Sequence, residues 1–291
     1  MRASAVPPCL RALLAGALSL AAFAAPRLAS AQSAAELPAP QAVPEPPARD
    51  RPTPAPSADG WEQVRRPWLY APDPSAPPPG HVLATLGAGY AQIDRGAARP
   101  FAGNVAQAGG VFSAGADVGV HRVLSLQAEG LLAGDGSSVN GGAMLGATLH
   151  PFPARWPVAA SFAAGYLREL GGANGAWGRA ALAGDIGALR LAVTALGSHL
   201  FATGRDGIDL LLTAGASYRL TDIVRLGVEY VVQDLEEAID DEAVDGGVRH
   251  FLGPSVGLHL ARRVQITAGP AFGLSRGAPA FQGRMAASYA F

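Results

Sequence analysis

The densest run of side chains able to do chemistry in this 291-residue sequence is DLEEAIDDEAVDGG (234–247). Asp234, Glu236, Glu237, Asp240, Asp241, Glu242 and Asp245 crowd carboxylate oxygens into it, and such oxygens are what hard divalent cations take as ligands. The run lacks the glycine-centred spacing of an EF-hand loop, so a solvated acidic loop stands beside cation binding as its reading. His250 follows and is the one histidine clearly placed beside these carboxylates. An acid–base group must sit within hydrogen-bond reach of the proton it moves. No metal-spaced histidine cluster, phosphate-cradling loop or dinucleotide fingerprint accompanies it. The sequence therefore assigns no catalytic residue, no metal ligand and no cofactor, and the expectation is a protein that is not an enzyme.

A second set of charges is scattered, and its meaning depends on the elements that carry it. From His81 onward, apolar and small or polar residues alternate with a period of two, the mark of strands with one greasy face. The segments are 81–93, 104–120, 123–133, 142–150, 158–169, 177–186, 189–201, 208–220, 224–233, 248–260, 264–275 and 281–291. In the eighth, Ile208, Leu210, Leu212, Ala214, Ala216, Tyr218 and Leu220 face one way, and Asp209, Leu211, Thr213, Gly215, Ser217 and Arg219 the other.

Connections after odd-numbered segments are mostly long and those after even-numbered ones mostly two or three residues, such as His121-Arg122, Gly187-Ala188 and Ala261-Arg262-Arg263; PFPARWP (151–157) is longer. Tyr90, Tyr166, Phe201 and Tyr230 fall near the loop ends, and Tyr218, Tyr289 and Phe291 near the turn ends. Even strand number, alternating connection length and two aromatic girdles belong to membrane-spanning barrels. The expected fold is all-β, an antiparallel up-and-down transmembrane β-barrel of twelve strands, its domain spanning 80–291. Arg168 is the clear exception on the apolar parity, at the outer rim, where a cation costs about zero to one kcal/mol instead of about 2–4 at mid-membrane.

The inward parity then carries the candidate lumen residues Arg179, Asp185, Arg190, Arg219, Arg225 and Glu229. A Gly187-Ala188 turn sets Asp185 opposite Arg190, and a Thr221-Asp222-Ile223 turn sets Arg219 opposite Arg225. Two facing arginines suggest an anion-attracting constriction; a structural network closed by Asp185 and Asp222 is the alternative. Pro254 and Pro270 fall mid-strand and, with Ala261-Arg262-Arg263 as the turn, directly opposite each other. Proline removes a ladder donor, so a paired bulge or kink is expected there.

Ahead of the strands, residues 1–31 read as a signal peptide: Arg2 and Arg11, then LLAGALSLAAFAA (13–25), then Ala29-Ser30-Ala31 before cleavage near Gln32. The single cysteine, Cys9, precedes the apolar region and leaves with the peptide. Residues 32–79 are Pro- and Ala-rich and read as a disordered periplasmic linker. The island WEQVRRPWLY (61–70) interrupts the tract, either as an anchor or plug that docks on or in the barrel or as a sticky patch in a linker. All 22 basic residues are arginine, the formal net charge is −1, and no basic patch supports nucleic-acid binding.

The chain ends FQGRMAASYAF (281–291), with Tyr289, Ala287, Met285, Gly283 and Phe281 on one parity behind the terminal Phe291. This resembles the C-terminal strand of bacterial outer-membrane β-barrel proteins. The resemblance implies that this strand closes the barrel and is read by the barrel assembly machinery. It also implies location in the cell outer membrane, with outer-membrane lipid and lipopolysaccharide as partners, and a periplasmic partner for 32–79. The function it implies is a non-enzymatic integral barrel, either a narrow passive channel for small solutes or a structural protein. The alternatives are a surface-loop binding or adhesion module acting through 94–103 and 234–247, an outer-membrane enzyme, and an autotransporter-like translocator.

Overall fold

The structure is a computed structural model that describes residues 69–70, 72–91, 109–134, 139–152, 156, 158–202, 208–235, 248–261, 263–275 and 278–291. The signal peptide 1–31, the linker residues 32–68 with the island positions 61–68, residues 92–108 and the acidic positions 236–247, with Glu236, Glu237, Asp240, Asp241, Glu242 and Asp245, lie outside the described residues.

Twelve strands form one closed ring: β1 (Val82–Ala91), β2 (Gly109–His121), β3 (Leu124–Gly134), β4 (Val139–Leu149), β5 (Val158–Glu169), β6 (Asn174–Ile186), β7 (Leu189–Leu200), β8 (Asp209–Arg219), β9 (Val224–Gln233), β10 (Arg249–Ala261), β11 (Val264–Gly273) and β12 (Phe281–Ala290). Each pairs antiparallel with its chain neighbours, and β1 pairs with β12 from Leu83↔Ala290 to Ala91↔Gln282. The ring has no edge strand, as a sheet that spans lipid requires. No helix among the described residues is long and apolar enough to cross a membrane.

Alternation sorts the side chains as a membrane barrel requires. Leu86, Phe112, Leu126, Leu145, Phe162, Leu182, Val193, Leu226 and Met285 are exposed on the outer surface, while Ser125, Thr148, Ser161, Thr194, Thr213, Ser217 and Thr267 are buried on the inner one. Aromatic pairs mark both rims: Tyr289 meets Phe291 edge-on at 4.5 Å at the turn end, and His199 meets Phe201 at 5.2 Å at the loop end.

Several ends differ from the sequence expectation by a few residues. β4 starts at Val139 instead of 142 and β6 at Asn174 instead of 177, so the ladder runs past the apolar band into Gly- and Asn-rich sequence. Strand pairing needs backbone partners, not greasy side chains, and the hydrophobic period stops first. Two turns shift as well. β2 reaches His121, leaving Arg122-Val123 as the turn, and Ala261 pairs with Val264 with a register shift between His259 and Ala261.

Beyond that shift, Pro254 and Pro270 do lie opposite each other. The β10–β11 ladder holds at Val256↔Ala268 and again at Leu252↔Phe272, in the same register, but is missing between them. Both strands stay paired on their other sides, Pro254 with Val228 and Pro270 with Gly283. The irregularity is a gap without a bulge. Gly253 and Gly269 explain how the gap closes: a Cβ on Gly253 would collide with the Pro270 carbonyl oxygen, and one on Gly269 with that of Pro254. Each glycine packs against the opposite proline's carbonyl, a close approach that only Gly allows.

Candidate functional site: a lumen crossed by its own strap

The inner wall is not empty. Residues 69–70 and 72–80, expected within the linker, run as a strap along it. At the turn end, Gly80 (φ 81°) bends the chain and donates its N–H to Gly119 O at 2.8 Å, and Gly119 N–H donates to His81 O at 3.0 Å. A Cβ at position 119 would strike the carbonyls of Pro77 and Pro78. Glycine there lets the strap cross the rim, and the proline run keeps it extended.

Inside, the strap is fixed at three levels. Lowest, the Pro74 carbonyl accepts from His150 Nδ1 at 2.9 Å, and His150 Nε2 lies 3.0 Å from Ser125 Oγ. That geometry fits a neutral imidazole, and burial pushes the His150 pKa down, against the Pro74 carbonyl and Asp117, which pull it up. Next, Asp73 meets Arg190, whose Nη2 donates to Asp73 Oδ1 at 3.0 Å while Nη1 donates to Asp185 Oδ2 at 2.6 Å. Arg190 and Asp73 are both buried and Asp185 is at the exposed mouth. Asp73 also accepts the Ser75 N–H at 2.9 Å, shaping the Asp73-Pro74-Ser75 bend. Highest, the Glu229 carboxylate accepts the N–H groups of Leu69 at 2.8 Å and Tyr70 at 2.9 Å. Arg284 lies 5.0 Å from the centre of the Tyr70 ring, a cation–π contact worth about 2 kcal/mol when dry.

The remaining candidates fall as follows. Arg179 projects inward, its Nη2 donating to Gln127 Oε1 at 2.7 Å, and lies 5.8 Å over the Trp177 ring. Arg219 and Arg225 are opposite in register, but Arg225 is buried and donates to Ser217 Oγ at 3.0 Å, while Arg219 is exposed at the mouth. Asp234 (φ 57°), at the head of the acidic run, is buried and ion-paired with Arg249 at 3.2 Å. His250 is on the lipid-facing side, where its Nδ1 lies 2.7 Å from the Tyr230 hydroxyl.

Three features escaped sequence reasoning. Ser125 and His150 form a hydrogen-bonded pair at the turn end of the neighbouring strands β3 and β4. Gly253-Pro254-Ser255-Val256-Gly257 has the G-x-S-x-G spacing, but it runs through the middle of β10 with Ser255 buried, not around a strand-to-helix turn. Finally, large apolar residues occupy the inward parity of the loop-end half. Leu211, Val231, Phe251 and Ala271 pack with Tyr70, and Met144, Leu167 and Trp177 with Leu200; Leu196 touches both groups. The inner face is therefore polar toward the turn end and apolar toward the loop end. Between strap and wall a cavity of about 200 Å³ remains, into which the buried, opposed hydroxyls of Thr194 and Thr213 point.

No protein-family model matches the chain, and no curated protein matches it in sequence. Solved structures do. An outer membrane channel from Pseudomonas putida F1 is similar over 77% of this chain and 100% of its own, with 12% identity and a TM-score of 0.53. The KdgM porin in complex with disordered oligogalacturonate is similar over 72% of this chain and 99% of its own, with 8% identity and a TM-score of 0.50. At these identities the likeness is one of fold.

Proposed function

We propose that this chain, whose fold is that of the bacterial outer-membrane β-barrels, is a narrow passive channel held shut by its own strap. The observation that carries the reading is the triple anchoring of the strap, at His150, Arg190 and Glu229, inside the lumen of a twelve-strand barrel. Twelve strands enclose more space than wall side chains alone fill. Here the strap and the apolar loop-end layer take up the excess. The reading is non-enzymatic: Ser125 is buried beside the strap, and the far nitrogen of His150 meets a carbonyl where an activated serine needs an orienting carboxylate.

Planar-bilayer recordings of the refolded full-length protein and of a variant lacking 69–79 test it. Rare, small openings are expected from the full chain and a steady, larger conductance from the deletion. A folded deletion variant as silent as the full chain removes the channel reading and leaves a structural barrel.

The strap's polarity favours a second reading, for the tract before it. Gly80 bends at the turn end, while Tyr70 already packs on the loop-end layer. With short turns in the periplasm, Leu69 is the end of the strap nearer the outer mouth. On this reading 32–68 is presented at the cell surface instead of binding a periplasmic partner. Protease added to intact cells is expected to cut within it; cleavage only after the outer membrane is breached restores the periplasmic tether.

A further inference from the structure

On the outer surface, three small residues and an arginine fall in one row across four strands: Ala114 opposes Gly130, Gly130 opposes Ala143, and Ala143 opposes Arg168. The row toward the loop end is bulky, with Phe112 opposite Leu132 and Leu170 bonded to Gly141 through its N–H at 2.9 Å. The side nearer the turn end carries Leu145 opposite Tyr166. A trough of about 400 Å³ results, its floor made by Ala114, Gly130 and Ala143 and its walls apolar apart from Arg168 and the buried Glu169. Three inter-strand steps of about 4.8 Å give it a length of roughly 14 Å.

Arg168 stands at one end of the trough. It is exposed on the lipid-facing side, one residue before the end of β5, and has no acidic partner among the described residues. Its own chain neighbours across the sheet, Ala143 and Asn174, are uncharged. That depth is the outer interface, where lipid phosphates lie, and guanidinium recognises phosphate with two parallel N–H donors.

We propose that this trough binds one acyl chain of an outer-leaflet phosphorylated glycolipid, with the lipid's phosphate on Arg168. The inference rests on outer-membrane placement and not on the channel reading, so a silent bilayer recording leaves it standing. Arg168 supplies the charge complement, and the small-residue floor lets the chain lie against the backbone. Bulky neighbours on either side confine it to one register.

Native mass spectrometry of the detergent-extracted, full-length protein tests this with bis-phosphorylated lipid A, its dephosphorylated form, a zwitterionic phospholipid and inorganic phosphate. One retained lipid A per chain is expected, with at least tenfold weaker retention of the dephosphorylated form and the phospholipid, and none of free phosphate. Arg168→Gln is expected to lower lipid A retention at least tenfold. Ala143→Leu, which fills the floor, is expected to do the same with Arg168 intact. Heat-modifiable gel migration confirms that each variant is a closed barrel, and Ala114→Leu substitutes if Ala143→Leu fails to fold. Equal retention of lipid A by the wild type and both folded variants overturns the proposal, since that is the behaviour of unspecific annular lipid. Retention of free phosphate at the lipid's level overturns it too.

Discussion

Glu229 grips the strap by its backbone: its two carboxylate oxygens accept the N–H groups of Leu69 and Tyr70 at 2.8 and 2.9 Å. The hold is therefore indifferent to which side chains stand at those positions, and it depends on the charge of one wall residue. Hydrogen bonds to a charged acceptor contribute about 1.5–3 kcal/mol each and neutral ones about 0.5–1.5. Glu229→Gln should weaken this anchor by about 1–3 kcal/mol, roughly five- to 150-fold in strap occupancy. Single-channel open probability reads it, with more frequent openings expected at unchanged unitary conductance.

Arg190 joins the strap to the wall through two carboxylates of different exposure, Asp73 buried and Asp185 at the mouth. Removing one member of a buried pair leaves an uncompensated charge, at about 3–5 kcal/mol for a fully buried case. Asp185 still neutralises Arg190 in Asp73→Asn, so a loss nearer 1–3 kcal/mol is expected there, and Asp185→Asn should cost less. Guanidinium unfolding of the protein in micelles gives the order; a larger effect at Asp185 would contradict it.

The lowest anchor depends on acidity. His150 has its pKa lowered, first by burial, so the folded state prefers the neutral ring that donates to Pro74 and accepts from Ser125. A depressed histidine contributes stability that is fully present above its ordinary value of 6.5 and is lost as pH falls through the lowered value. Thermal unfolding between about pH 5 and 8 should be flat in the upper half and decline in the lower. His150→Gln should flatten that decline.

The opposed prolines make a weak seam in the wall. Their carbonyls lie against Gly269 and Gly253, and each proline faces another proline, which has no N–H to donate. Pro254→Val with Pro270→Val restores two donors at the facing positions. A net gain of about 0.5–1.5 kcal/mol per bond predicts a double variant more resistant to guanidinium, and slow exchange of the two new amides. Unprotected amides would mean that the seam is held open by the glycines instead.

The wall was legible in the sequence because a barrel strand obeys a local rule. Period-two alternation located all the strands, and short turns then fixed the register, a two-residue one setting Asp185 against Arg190 and a three-residue one Pro254 against Pro270. The contents of the lumen obey no local rule. Leu211, Val231 and Phe251 each look like one apolar residue at a polar position, and only ring closure brings them together. The strap was hidden for another reason. Its composition cannot form a core of its own, but it needs none, because the wall supplies the partners: Glu229 lies 160 positions from Leu69 in the chain. Gly119, which makes room for the crossing, is one of many wall glycines and carries no mark in the sequence.

The strap leads straight into β1, and β1 is one half of the β1–β12 joint that completes the ring. His81, at the junction, has its Nδ1 3.0 Å from the carbonyl oxygen of Phe291, so the two ends of the barrel domain meet where the strap enters. Order of assembly follows. A curling sheet still open between its first and last strands offers the strap an unobstructed concave face, whereas a finished ring offers only a mouth already narrowed by Arg190 and Arg225. The cheapest route is to lay the tail down early and zip the wall shut over it, making the N-terminal segment a mould for the cylinder that ends up enclosing it.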